Sequence, residues 1–387
     1  MNETTLAAMR EATELTRAGH LAEATALLSR LLGGTSAPAA ATEGTVIDLA
    51  PEEVAGPPAR SRPHLPEALR GLVERVRRAG TPQGSPTAPS PETVPDGGRF
   101  LAGSHGEAAG GTRAYRLYVP SGCHGQPVPL VVMLHGCTQS PEDFAAGTRM
   151  NLLAEERTFL VAYPAQCPKA NVSRCWNWFS PDDQRRDRGE PALIAGITRR
   201  IMREHAVDPK RVYLAGLSAG GAAAAVVAGA YPDLYAAVGV HSGLPSGSAS
   251  DVASAFAAMR QGDGPAAARP RLVPTIVFHG DQDATVHPRN GERVAEQAAA
   301  AAADRLRARA ERGQVPGGHR WRRVLHADEG GRTVIERWVV EGAGHAWSGG
   351  SPAGSYTDPS GPDASREMLR FFFEHTRAEA DARPRAP

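Results

Sequence analysis

RVYLAGLSAGG, Arg211 to Gly221, decides how the rest of the chain is read, because it sets one serine between a strand signal and a helix signal. Val212 to Ala215 is a short apolar run of the kind that forms a buried strand, and Ala222 to Ala230 is an Ala/Val-rich run that reads as a helix. Between them, Gly216-Leu217-Ser218-Ala219-Gly220 fits G-x-S-x-G, the elbow that holds a nucleophilic hydroxyl out on a strained strand-to-helix turn. Small residues flank Ser218 because strand and helix backbones come too close there for a Cβ. The bland alternative is a Gly-rich structural turn. The two separate on whether the chain supplies an acid, a base and oxyanion donors at the right places.

Working outward, Pro129 to Leu134 is a continuous apolar run, as expected of a strand buried on both faces. Thr158–Tyr163, Ala236–Val240 and Thr275–Phe278 are further short apolar runs. Helix-like segments, Asn151–Glu156 and Pro191–His205 among them, separate these strands, and that alternation predicts a mostly parallel sheet with helices on both faces, an α/β fold. Thr112–Val119 alternates and is expected at an edge; Trp321–Leu325 and Thr333–Val339 are expected as a late hairpin turning at Glu329-Gly330-Gly331. The uncharged run from Arg211 to Asp233 is broken by the turn at Ser218 and stopped by Pro232, so it reads as strand plus helix rather than a membrane span.

The N-terminal third has a different character. Leu6 to Leu32 carries helical spacing interrupted at Gly19-His20, giving a short helical hairpin over residues 1–34 that packs on the main domain or on a second subunit, the latter making a homo-oligomer. Residues 35–97 are Pro/Gly/Ala-rich and read as a flexible linker, with a brief amphipathic helix over Leu69–Val76. The catalytic domain is expected over 98–376 and a charged tail over 377–387. The start of the chain has no continuous apolar core, so no ordinary secretory signal is expected. A net charge of +1 argues against a nucleic-acid partner, and nothing suggests a membrane one. Cys167 and Cys175 bracket a short polar loop that a disulfide could close, which would suit an oxidising compartment. No cysteine or histidine spacing fits a metal site.

A serine hydroxyl needs a base, an orienting acid and donors for the oxyanion, and this elbow predicts the order Ser, Asp/Glu, His. The strand Thr275–Gly280 runs into Asp281-Gln282-Asp283; Asp283 stands farther past the strand end and is preferred as the acid, with Asp281 the runner-up and one of the two capping the turn. Val334–Val340 runs into a glycine-rich loop carrying His345, the expected base. His135 and His279 end strands and are expected to make structural hydrogen bonds. The oxyanion donors are the amides of Ala219, after the nucleophile, and of Cys137, in the His135-Gly136-Cys137 loop behind PLVVML. Aromatics are only 5% of the chain, yet Trp176, Trp178 and Phe179 crowd one loop, which suggests a substrate-facing wall; Trp347 follows His345 by two residues.

LHGCTQS, CWNWF, GLSAGG, VHSGLP, HGDQDATV and GAGHAWSGG, in this order, resemble the poly(3-hydroxybutyrate) depolymerase-type esterases of the α/β-hydrolase fold, over roughly Gly98 to Phe373. The resemblance implies a cofactor-free serine carboxylic-ester hydrolase working through an acyl-enzyme, with Ser218, Asp283 and His345 as triad. It also implies that Trp176, Trp178, Trp347 and Ser242 contact the acyl group. Short hydroxyalkanoate esters or polyester oligomers are the expected substrates. Acetyl or feruloyl groups on polysaccharides are the alternative, and a catalytically silent binding scaffold or a serine peptidase of the same fold are more distant ones. The family implies an extracellular setting; the chain start points instead to the cytoplasm.

Overall fold

A computed structural model describes residues 94–107, 111–269, 271–302 and 305–377. The expected hairpin over 1–34, the helix over Leu69–Val76, the linker as far as residue 93 and the tail from residue 378 lie outside the described residues.

The strands are β1 (Arg99–Glu107), β2 (Gly111–Val119), β3 (Val128–Leu134), β4 (Leu160–Pro164), β5 (Val207–Leu217), β6 (Ala237–His241), β7 (Thr275–Gly280), β8 (Arg307–Gln314), β9 (Arg320–Ala327) and β10 (Thr333–Val340). The helices are α1 (Pro141–Thr148), α2 (Met150–Arg157), α3 (Gly189–Glu204), α4 (Ala219–Ala230), α5 (Val252–Gln261), α6 (Arg289–Ala300) and α7 (Ala364–Phe373). The strands form one ten-stranded sheet in the order β1-β2-β4-β3-β5-β6-β7-β10-β9-β8. From β4 to β10 the pairs are parallel, and antiparallel strands flank them on both sides.

Every residue of β3 is buried. Alternation along the strand explains why: Leu130, Val132 and Leu134 enter one core with Ile194 and Ile197, while Val131 and Met133 enter the other with Phe144 and Phe372. A sheet covered on both faces needs apolar residues at every position, which is what the continuous run encoded. The chain leaves β3 toward β4 on one side and returns to β5 on the other. The loops after β3 and β5 therefore part at a topological switch point, where ligands gather at the carboxyl ends of parallel strands.

One reading needs correction, and one strand went unread. The segment Thr112–Val119 lies inside the sheet, between β1 and β4, and β1 is the edge. The strand β8, RARAERGQ, has no apolar face, is largely exposed and exists through its pairing with β9, so no hydrophobic period announced it. A small parallel pair, β11 (Trp347–Ser348) with β12 (Thr357–Asp358), orders the loop beyond β10. Among the described residues no helix is long and apolar enough to cross a membrane.

Candidate active site

Ser218 ends β5 with φ 58° and ψ −120°, a conformation costly for any residue with a Cβ. Packing enforces it. A Cβ on Gly220 would fall 2.1 Å from the Leu134 carbonyl oxygen, and one on Gly216 would fall 2.3 Å from the Gly220 oxygen. The Ser218 amide donates to the His241 carbonyl at 2.9 Å, pinning the turn to β6. A serine at a helix start ordinarily caps it with its hydroxyl. Here Ser218 makes no side-chain capping bond to α4, and it is partly exposed while its neighbours Leu217 and Ala219 are buried.

Asp283 and His345 meet across 62 residues, with His345 Nδ1 2.7 Å from Asp283 Oδ2. The carboxylate is acceptor-only, so Nδ1 carries the proton and the opposite ring nitrogen is left as a base. Asp283 is otherwise saturated: Oδ1 accepts from the Thr285 and Val286 amides at 2.9 and 2.8 Å. Burial pushes its carboxyl up, but His345 and His279 beside it outweigh that and hold it well below the usual carboxylate range. Asp281 does something else, accepting from the Gly342 amide at 2.7 Å and fixing the turn that leads to His345.

The His241 ring accepts from the Ser348 amide at 2.9 Å, three residues past His345. Since the His241 carbonyl also holds the Ser218 amide, this one buried residue ties the elbow to the histidine loop. Desolvation, with the His279 and His345 imidazoles nearby, keeps it far below the ordinary histidine range. His241 was not singled out from sequence; the run VHSGLP directly after a strand was the signal that contained it.

The loop after β3 is built around one amide. Gly136 N–H donates to Gln139 Oε1 at 2.9 Å and Thr138 N–H to the Ser173 carbonyl at 2.7 Å. The Cys137 amide between them meets no acceptor among the described residues. Gln139 is itself held by Asp143 Oδ2 at 2.7 Å. His135 is a support: Nδ1 donates to the Gly136 carbonyl at 2.7 Å and Nε2 accepts from the Gln166 amide at 3.1 Å. Complete burial pulls its imidazole down to about 4.

Cysteine pairing differs from the sequence expectation. Cys137 is bridged to Cys175, and Cys167 is a free thiol. The bridge ties the loop after β3 to the loop carrying CWNWF, and it removes any nucleophilic role for Cys137.

The aromatic residues divide. Trp178 is buried in the same apolar cluster as Ala219, Leu244 and Val286, against which Cys137 packs, and its ring meets Phe179 edge-on. Trp176 does not form a wall: it is fully buried and its indole N–H donates to the His135 carbonyl at 3.1 Å. Trp347 is likewise buried, donates to Ser365 Oγ at 3.1 Å and stacks on His241. Ser242 is wholly buried, its amide on the Phe278 carbonyl and its hydroxyl 3.2 Å from His241 Nδ1. A closed core position explains all three better than contact with an acyl group. Among the described residues no group of His, Cys, Asp or Glu is arranged to hold a metal.

Comparison with known proteins places this geometry. The family model described as esterase PHB depolymerase matches residues 113–312. Poly(3-hydroxyalkanoate) depolymerase C of Paucimonas lemoignei is 37% identical over 193 residues, 46% of this chain and 46% of that protein. Feruloyl esterase B of Thermothelomyces thermophilus is 28% identical over 251 residues, 59% of this chain and 82% of that one. The chain thus spans under half of the depolymerase's length. Among solved structures, an acetyl xylan esterase from Aspergillus awamori superposes with a TM-score of 0.53 at 18% identity, covering 71% of this chain and 99% of that one, and so shares the fold.

Proposed function

This chain belongs to the esterase PHB depolymerase family, and on that premise we propose that it is a serine carboxylic-ester hydrolase with Ser218 as nucleophile, His345 as base and Asp283 as orienting acid. The observation that carries the proposal is the 2.7 Å bond from His345 Nδ1 to Asp283 Oδ2, on a loop that His241 ties to the turn holding Ser218, whose hydroxyl caps nothing.

In this mechanism the unprotonated nitrogen of His345 takes the Ser218 proton as Oγ attacks the ester carbonyl. The developing oxyanion is met by the amides of Cys137 and Ala219, fixed in place before reaction and needing no reorganisation. The proton passes to the leaving alkoxide, an acyl-enzyme remains, and water attacking through the same base releases the acid. Asp283 stays ionised throughout because four protein donors face it. No cofactor or metal enters any step.

Short hydroxyalkanoate esters or oligomers are the substrates we propose, as small-molecule partners with no nucleic acid or membrane involved. Trp178, which shares an apolar cluster with Ala219 and Cys137, is the side chain of the aromatic loop we propose to line the acyl site. A second reading, acetyl or feruloyl esters on polysaccharides, is favoured by the relative named feruloyl esterase B. The Cys137–Cys175 bridge suits an oxidising, extracellular setting.

The test is fluorophosphonate labelling followed by assays on short p-nitrophenyl esters, 3-hydroxybutyrate oligomers and feruloylated or acetylated sugars. Wild type should label and turn over, and Ser218→Ala should lose both. A variant that still labels would move the nucleophile elsewhere. Turnover of the sugar esters without the oligomers would select the second reading.

A further inference from the structure

The carboxylate of Asp283 has a second imidazole beside it that the reaction above leaves without a role. His279, at the end of β7, is buried, and its Nε2 lies 2.8 Å from the Val286 carbonyl oxygen and 3.3 Å from Asp283 Oδ2. A carbonyl oxygen accepts only, so Nε2 must carry the proton. The other nitrogen, Nδ1, is buried with no partner. It is shut in by α6, where a Cβ on Gly291 would fall 2.7 Å away. A proton on Nδ1 would find no acceptor, so the ring is fixed as the Nε2–H tautomer. Its N–H dipole turns its positive end toward the Val286 carbonyl oxygen and the nearby Asp283 Oδ2.

We infer that His279 is a positioning residue for the acid–base pair, a neutral dipole that shares Asp283 Oδ2 with His345 and limits how strongly that oxygen draws the His345 proton. The inference rests on the proposed roles of Asp283 and His345. The titratable groups gathered round the carboxylate are His279 from β7, His241 from the end of β6 and His345 from the loop after β10; from α6, Gly291 lies against the His279 ring. His241 turns its ring nitrogens to Ser242 and Ser348, which leaves His279 as the second imidazole directly on the carboxylate. A positive dipole on Oδ2 partly offsets the negative charge that stabilises a protonated His345. Without it the charged ring would persist to higher pH, and less base would be available near neutrality. Because the contact acts on the acid–base pair and touches no substrate group, its loss would act on kcat rather than on KM.

The test uses the full chain with 15N-labelled histidine, because ring titration in the resting protein requires no turnover. In His279→Leu the His345 midpoint should rise by about 0.5–1 pH unit, the acidic limb of kcat/KM should move with it, and kcat should fall about tenfold with KM unchanged. His279→Gln, which keeps an N–H near the same place, should restore both midpoint and limb. A folded His279→Leu with an unmoved His345 midpoint overturns the inference, as does a glutamine variant that behaves like leucine. A merely structural histidine would lower the yield of active protein and leave the limb where it was. If the leucine variant does not fold, the wild-type spectrum decides: a proton on His279 Nδ1 rather than Nε2 sinks the assignment. Failure of the serine-esterase reading shows separately, as wild type that takes up no fluorophosphonate.

Discussion

Asp281 and Asp283 stand two residues apart and serve different partners. Asp283 receives the His345 ring at 2.7 Å, whereas Asp281 receives the Gly342 amide at 2.7 Å. One carboxylate orients the base, and the other shapes the loop that delivers it. Asp283→Asn should lower kcat about 10³–10⁴-fold, since an amide cannot hold the productive tautomer with a full charge. Asp281→Asn retains an oxygen acceptor for the Gly342 amide and should cost less than tenfold. Steady-state kinetics on a p-nitrophenyl ester check the ranking, and the reverse order would move the acid to Asp281.

Ser218 pays for its exposure with a backbone angle that glycine adopts freely. Ser218→Gly should therefore unfold at a higher denaturant concentration than Ser218→Ala, by about 1 kcal/mol, although both are inactive. Equal midpoints would mean that the elbow holds no strain.

The approach of Gly220 to the Leu134 carbonyl leaves no room for a methyl group. Gly220→Ala should cost about 3 kcal/mol, an overpacking loss that backbone atoms cannot relieve by changing rotamer. Gly330→Ala, where the nearest atom is the Asp328 carboxylate at 3.3 Å in an exposed turn, is the control and should cost little. Thermal unfolding of the pair measures the contrast.

Stability in mild acid is set by two buried groups that pull in opposite directions. His135, held down to about 4, takes up its proton more readily in the unfolded chain, so stability falls as pH drops from 6.5 toward 4. Glu190 is pushed up to about 7, mainly by burial, so between pH 7 and 4.5 the folded state holds the extra proton and stability rises as pH drops. The two offset each other over most of that window. Glu190→Gln deletes the second effect. Its stability should fall more steeply than wild type's, by about 1.4 kcal/mol per pH unit between 6.5 and 4.5. Urea unfolding at pH 7, 6 and 5 checks this, and parallel trends would count against it.

The central sheet could be read before folding because β3, β4, β6, β7 and the second half of β5 are buried on both faces and so carry continuous apolar runs. The elbow, Asp283 and His345 were legible for a related reason: each ends such a strand, and strand ends fix chain order. Other features depend on contacts that no local pattern records. Cys137 meets Cys175 across 38 residues only because the loops after β3 and β4 converge. Trp176 looked like part of a wall from the crowding of its loop in an aromatic-poor chain, and Trp347 like a site residue from its place two residues past His345. Their indole N–H groups instead find His135 and Ser365 inside the core, and burial follows from that satisfaction. His279 was read from its strand end as a structural hydrogen bonder; its place beside Asp283 depends on the β7–α6 loop folding back over it.

The arginine-rich strand β8 bears on how copies of the chain behave toward one another. Among the described residues the ten-stranded sheet ends at β8 with a row of amides and carbonyls that no further strand pairs, and such an edge can take up a matching strand from a neighbour. Arg307, Arg309 and Arg312 stand exposed along that row, so a second copy approaching edge to edge would bring like charges together. The composition that hid β8 from a hydrophobic scan thus works against edge-to-edge pairing of two copies through this strand.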